Sequence, residues 1–173
     1  PLLKKVLRIK AKQKMVDLLS EKHLIPILRG ADAQSVIGEL TARAAQLSAL
    51  DAKSIYEAVW KRERMMSTGL PDGLAVPHAR LTGLKKSMVV LGRSEGNVDF
   101  DASDGSRARL ICLLLTPQEN SMAQLELLQL VGDTFDQPEK RNAVLHASNE
   151  TEMLAGLRLG EAPITPNEAE GAK

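Results

Sequence analysis

Three histidines, a single cysteine and a dense run of arginines and hydroxyl residues carry the chemistry open to this chain. The spacings of His23, His78 and His146 fit no local zinc pattern and Cys112 adds nothing to them, so no metal site is expected. His146 falls near the end of a predicted helix, where a cation complements the dipole, and reads as a cap. His23 precedes a predicted strand and reads as structural. His78 differs in its setting. It follows Gly73-Leu74-Ala75-Val76-Pro77, has Arg80 two residues on, and has Arg62 at the end of the preceding predicted helix. Imidazole with an ordinary pKa of about 6.5 keeps an unprotonated nitrogen near neutral pH and can form a covalent intermediate. A phosphoryl group arriving there needs positive charge and hydrogen-bond donors around its oxygens. Arg62 and Arg80 offer the first, and Ser67, Thr68 and the backbone at Gly69 and Gly73 offer the second. On composition alone, a structural loop histidine remains the competing reading. A hydrolase triad of Ser67, His78 and Asp72 lacks the nucleophile elbow such enzymes use. No Walker or dinucleotide glycine fingerprint is present, and no cofactor is expected.

The elements that must position these residues follow from apolar periodicity. Leu24–Leu28 predicts a short strand. Asp32 is a candidate N-cap for a helix with Val36, Ile37, Leu40, Ala44 and Leu47 on one side. A second helix is expected from about Asp51, facing Ile55, Val59 and Trp60 inward and running into a charged turn over 61–64. The stretch from Ser67 to His78 is so rich in glycine and proline that it predicts a shaped loop without regular structure. The runs 88–91 and 110–115 predict sheet strands. The second shows no polar alternation, so helices should cover both of its faces. Residues 99–105 read as a turn region. A helix over 121–135 would put Met122, Leu125, Leu128 and Val131 on one stripe, and Pro138 suits the first position of another, with Asp136 or Gln137 ahead of it. Strands intermixed with helices predict an α/β fold.

The ends differ from the middle. Residues 1–20 predict a helix with Leu2, Leu3, Val6 and Leu7 at helical spacing, interrupted and followed by Lys4, Lys5, Arg8, Lys10, Lys12 and Lys14. Three readings stay open: a solvated basic face on a packing helix, a linker leaving a membrane or another domain, and an electrostatic arm for nucleic acid. The chain starts at Pro1 without a methionine, which suits a fragment of a longer protein or a processed one. The organisation expected is therefore a basic N-terminal helix or linker over 1–18, one domain over 19–159, and a disordered tail over 160–173.

Composition narrows the classes. Hydrophobic residues make up 43%, enough for a core, while aromatics at 2% leave no stacking surface for single-stranded nucleic acid. A formal net charge of +1 provides no global field toward nucleic acid or membrane, so no nucleic-acid partner is expected. Cys112 lies inside an apolar run and reads as a buried small hydrophobe. No stretch reaches the roughly 18 to 20 apolar residues that span a bilayer, and no signal peptide is visible, so a cytoplasmic setting is expected.

The segment from Arg62 to Arg80, Arg62-Glu63-Arg64-Met65-Met66-Ser67-Thr68-Gly69-Leu70-Pro71-Asp72-Gly73-Leu74-Ala75-Val76-Pro77-His78-Ala79-Arg80, resembles the active-site signature of the type-2 enzyme IIA family of the sugar phosphotransferase system, whose members include fructose, mannitol and nitrogen-regulatory proteins. Val98-Asp99-Phe100, Asp104-Gly105 and Leu113-Leu114-Leu115-Thr116-Pro117 follow in the family's order, and the likeness covers roughly 19–157. The resemblance implies a mixed sheet flanked by helices on both faces. It implies a phosphohistidine at His78, with Arg62 as the supporting arginine and Ser67 and Thr68 as the hydroxyl pair before the glycine. The partners it implies are the phosphocarrier HPr or a paralogue, and an enzyme IIB. Gln124 stands where the family commonly carries a second histidine. It can donate a hydrogen bond but brings no charge. Met66 and Pro71-Asp72 replace a usual glycine and a usual Gly-Asn pair, and the Asp72 carboxylate is expected to repel a nearby phosphate. Two functions therefore compete. One is a phosphocarrier passing the group to enzyme IIB or using it as a signal. The other is a regulatory binding module, fused to a membrane protein upstream of Pro1 or docking on a transporter.

Overall fold

The computed structural model describes residues 13–161. Its centre is the longest apolar run of the sequence, which forms β6 (Ala108–Pro117). Leu110, Cys112 and Leu114 belong to the core on one face of the sheet, and Ile111, Leu113 and Leu115 to the core on the other. A strand with two covered faces has no use for polar alternation. β5 (Met88–Val98) lies antiparallel to β6, from Met88 opposite Leu115 to Val98 opposite Ala108, and β1 (Leu24–Leu28) runs parallel on the far side of β5. On the other side of β6 the short β3 (Leu74–Ala75) and β4 (His78–Leu81) follow one another in a single parallel register. Leu74 stands opposite Leu110 and His78 opposite Leu114. β2 (Gly69–Leu70) pairs antiparallel with β3 at the edge. The sheet is therefore mixed, in the order β1-β5-β6-β3-β2 with β4 also on β6.

Two helices cover one face. α1 (Ala33–Ser48) buries Val36, Ile37, Leu40 and Ala44, and α2 (Ala52–Met65) buries Ile55 and Val59, with Leu47 and Trp60 packed partly against the same core. Both begin as the sequence predicts. Ser35 N donates to Asp32 Oδ1 at 2.8 Å and Ser54 N to Asp51 Oδ2 at 2.8 Å. The opposite face is covered by α3 (Ala123–Phe135), α4 (Pro138–Leu145) and α5 (Glu150–Leu157). Pro138 occupies the first turn of α4 with Gln137 ahead of it.

Four expectations are corrected. The residues 61–64 are no turn: they complete the last turn of α2, which ends at Met65. The stretch between Ser67 and His78 contains the strands β2 and β3 and leads straight into β4, since its glycines and prolines shape a narrow hairpin at the sheet edge. In α3 the inward stripe is Ala123, Leu127, Val131, Thr134 and Phe135, while Met122 and Leu125 are 56% and 60% exposed. Of the predicted N-terminal helix, the described part is a 3-10 turn over Met15–Leu18 that buries Met15 and Val16, and residues 1–12 lie outside the described residues. The expected tail lies outside them from residue 162 onward. Glu161, inside the span expected to be disordered, is instead held, accepting from Lys140 Nζ at 2.9 Å and facing Lys14 Nζ at 3.3 Å.

Candidate active site

His78 opens β4 and is 6% exposed. Strand alternation puts it on the sheet face of Val76 and Leu114. Pro77 has no N–H, and its carbonyl accepts from Leu114 N at 3.0 Å. The imidazole bends back so that Nδ1 lies 2.8 Å from the Val76 carbonyl. A carbonyl oxygen only accepts, so Nδ1 carries the proton and donates. Nε2 is then left as the lone-pair nitrogen. Burial is the main influence on the ring and holds its pKa below the ordinary histidine value. The Arg62 charge pushes the same way, and the bond to Val76 and the Glu63 charge oppose them.

The last turn of α2 delivers Arg62 and Glu63 to this edge. Arg62 Nη1 donates to the Met66 carbonyl at 2.8 Å, one of the carbonyls that a helix C-terminus leaves open, and a cation there also complements the dipole. Glu63 is 6% exposed. Its Oε1 accepts from Thr68 N at 2.8 Å and its Oε2 from Thr68 Oγ1 at 2.6 Å. Thr68 in turn accepts from Val76 N at 3.1 Å, which ties the loop to the strand beside His78. Gly69 packs so closely on the Phe100 carbonyl that a Cβ would collide with it. The chain then turns through Asp72 and Gly73 at φ of 64° and 81°. Asp72 N donates to Asp104 Oδ2 at 3.1 Å and Gly73 N to Ser106 Oγ at 3.3 Å, so the far end of the hairpin is fastened to the turn after β5.

Not every residue singled out in the sequence meets His78. Leu74 and His78 stand opposite Leu110 and Leu114, four residues apart and about 13 Å along the strand. Asp72 lies beyond Leu74, so it neither completes a triad nor crowds a phosphate on His78. Met66 points outward and is 69% exposed. Ser67 and Arg80 are exposed, and Arg80 stands opposite Thr116 in the register. Gln124 is half-buried in the first turn of α3, which shares its sheet face with His78. Two polar residues were missed. Thr116 keeps a buried hydroxyl with no hydrogen-bond partner among the described residues, on that same face. Glu63, inside the charged turn expected over 61–64, was given no role of its own and is buried. Ser67, Glu63, Trp60 and Arg64 also line a cleft of about 530 Å³ with Asp32, Asp99, Phe100 and Asp101. His23 Nδ1 accepts from Ser20 N at 3.1 Å, and His146 Nδ1 donates to the Asn142 carbonyl at 2.7 Å, so both serve local structure. Burial pushes the Cys112 thiol far above its ordinary range.

The architecture is thus a mixed sheet between two helix layers, with a buried histidine at its edge and the last turn of the preceding helix beside it. Residues 11–158 match the family described as phosphoenolpyruvate-dependent sugar phosphotransferase system, EIIA 2, and the chain belongs to it. A nitrogen regulatory protein of Pseudomonas aeruginosa is 35% identical over 111 residues, 64% of this chain and 71% of its own length. The fructose-specific EIIABC component of Bacillus subtilis is 28% identical over 143 residues, 82% of this chain but 22% of that larger protein. Among solved structures, the nitrogen regulatory protein IIA-Ntr from Neisseria meningitidis superposes with a TM-score of 0.75 at 29% identity, covering 83% of this chain and 98% of its own. The mannitol IIA of Escherichia coli, at 19% identity and a TM-score of 0.69, shares the fold over 80% of this chain and 98% of its own. No helix among the described residues is long and apolar enough to cross a membrane.

Proposed function

We propose that this domain accepts a phosphoryl group on Nε2 of His78 from a phosphorylated HPr-type carrier protein, and passes it to an enzyme IIB or displays it as a signal. The observation that carries this reading is the bond from Nδ1 to the Val76 carbonyl, which fixes the ring and commits the proton to the other nitrogen. In the transfer, the Nε2 lone pair attacks phosphorus while the nitrogen–phosphorus bond of the donor breaks and its electron pair returns to the donor imidazole. Nδ1 keeps its proton, so the Val76 carbonyl faces the positive charge that the ring acquires. Arg62 and Arg80 supply charge to the phosphoryl oxygens, and Ser67, Thr116 and Gln124 are the candidate neutral donors. Such a relay rests on positioning and charge, with no metal or organic cofactor assigned to it. Exposed Met65, Met66, Met122 and Leu125 give a partner apolar, adaptable contact at the ends of α2 and α3. A cytoplasmic setting suits this exchange with soluble carriers.

A regulatory use has an observation of its own. Gln124 brings no charge where the family commonly has a second histidine, and nitrogen regulatory proteins are among the relatives. A phosphate on His78 would then act as a charge switch on a docking surface, such as that for a regulated transporter. The test is incubation with enzyme I, HPr and phosphoenolpyruvate, followed by intact mass. An acid-labile gain of one phosphate, absent in His78→Ala, is expected. A folded domain that gains nothing from its cognate HPr overturns the phosphoacceptor reading and leaves a binding module.

A further inference from the structure

We propose that Glu63 is a positioning residue for phosphoryl transfer at His78, and that its buried carboxylate holds Thr68 as an anchor of the loop and away from the phosphoryl group. This rests on His78 being the phosphoacceptor. Glu63 is a carboxylate at 6% exposure with no cation at ion-pair distance among the described residues. Burial of such a charge is costly unless its oxygens are hydrogen-bonded. Here each oxygen takes a separate donor of one residue: Oε1 the Thr68 N–H, Oε2 the Thr68 hydroxyl. From there the connection to the reacting ring is continuous. Thr68 O holds Val76 N at 3.1 Å, and Val76 O holds His78 Nδ1 at 2.8 Å. Glu63 thus fixes the imidazole through two intervening residues without touching a reactant.

The chemistry of the hydroxyl sets the role of Thr68. A hydroxyl has one proton, and Glu63 Oε2 takes it at 2.6 Å. What remains on Thr68 Oγ1 is lone pairs, which cannot donate to a phosphoryl oxygen. Of the Ser67–Thr68 pair, only Ser67 is then free to meet the phosphate. An acid beside an incoming phosphate would otherwise be a liability. Its two hydrogen bonds from Thr68 direct both of its oxygens at the loop.

The test compares Glu63→Gln and Thr68→Val with the parent domain, each checked for folding by its amide spectrum. Two donors are used: phospho-HPr, and phosphoramidate as a small donor that requires no docking. Glutamine keeps the shape of the side chain but turns an NH2 toward one of the two donors. The rate of His78 phosphorylation is expected to fall about tenfold or more in Glu63→Gln, the loss of a charge-assisted bond. The KM for phospho-HPr should stay within about twofold, because ring placement and not docking has changed. Thr68→Val keeps the backbone bond to Oε1 and should lose less. The reverse order, Thr68→Val worse than Glu63→Gln, would place the hydroxyl on the phosphoryl group and overturn the proposal, as would full activity in Glu63→Gln. Should Glu63→Gln fail to fold, Thr68→Val decides alone, a loss of about tenfold or more counting against the proposal. If phosphoramidate modifies His78 and phospho-HPr does not, the carrier reading falls while Glu63 is still judged on the phosphoramidate rates. If neither modifies His78, both fall.

Discussion

His78 is a buried imidazole whose protonation is set by its surroundings. Burial, with Arg62 adding to it, holds its pKa below the ordinary 6.5 despite the opposing pull of Val76 and Glu63. Phosphorylation should therefore stay at full rate as pH falls through about 6.5 and decline only below the lowered value, as a pH–rate profile with phosphoramidate would show. Stability follows with a definite sign. Between the lowered pKa and about 6.5 the unfolded histidine binds a proton that the native one does not, so stability rises with pH across that window. Below it the penalty is complete. His78→Gln should flatten the slope of urea midpoints against pH. It removes only part of the effect, since His23, also held below its ordinary value mainly by burial, acts in the same direction. Arg62→Ala should slow phosphorylation by about a hundredfold, the scale of one preorganised charge lost, with the KM for the donor protein as the control. The reactive residue types were readable in the sequence because histidine, arginine and hydroxyls announce their chemistry. Which ring nitrogen of His78 keeps its lone pair was not, because a main-chain carbonyl decides it. Nor was the burial of Glu63, since an acid between Arg62 and Arg64 looks like solvated charge until the helix is seen to bring it inside.

The elements that deliver these residues were legible where a cap and a periodic stripe coincide. Asp32 and Asp51 open α1 and α2 with side-chain bonds to Ser35 and Ser54, and the apolar pattern behind each cap faces the core. The stripe of α3 was misplaced because apolar residues occur on several sides of that helix: Leu125, Leu127, Leu128, Leu130 and Val131 crowd two turns. Which of them faces inward is decided by where β6 ends and how the chain re-enters, and that is tertiary information. The edge hairpin was hidden for another reason. β2 and β3 have two residues each, too short for any period, and they persist because β6 and the turn after β5 hold them. Gly69 shows how tight that edge is. In Gly69→Ala the added methyl must displace the Phe100 backbone, so a destabilisation of about 1–3 kcal/mol is expected, with slower His78 phosphorylation because Thr68 moves with its neighbour. Thermal unfolding and the phosphoramidate rate together check it.

Across the whole molecule, one sheet separates two helix layers and the site sits where they meet at its free edge. The helix layer of α3 to α5 is also tied to the segments that enter and leave the described fold. Lys140 is 6% exposed, and its ammonium donates to the Leu157 carbonyl at 3.0 Å and to Glu161 at 2.9 Å, while Lys14 approaches Glu161 from the other end. Burial alone would raise the Glu161 pKa, but the bonds from Lys140 and Lys14 outweigh it and leave it below the ordinary value. The ion pair therefore stabilises above the ordinary carboxylate pKa, and its contribution is lost as pH falls through the lowered one. Glu161→Gln should cost about 1–3 kcal/mol near neutral pH and approach zero in acid, measured by urea unfolding at both. Trp60 is the chain's only tryptophan, and Tyr56, one turn earlier on α2, its only tyrosine. Trp60 lines the cleft shared by Glu63, Arg64 and Ser67. Its emission is consequently a built-in optical gauge of that cleft. A protein that covers it, or a loop that shifts when His78 is modified, alters the signal of one fluorophore against no background from another indole, so docking and phosphorylation can be timed on the unlabelled domain.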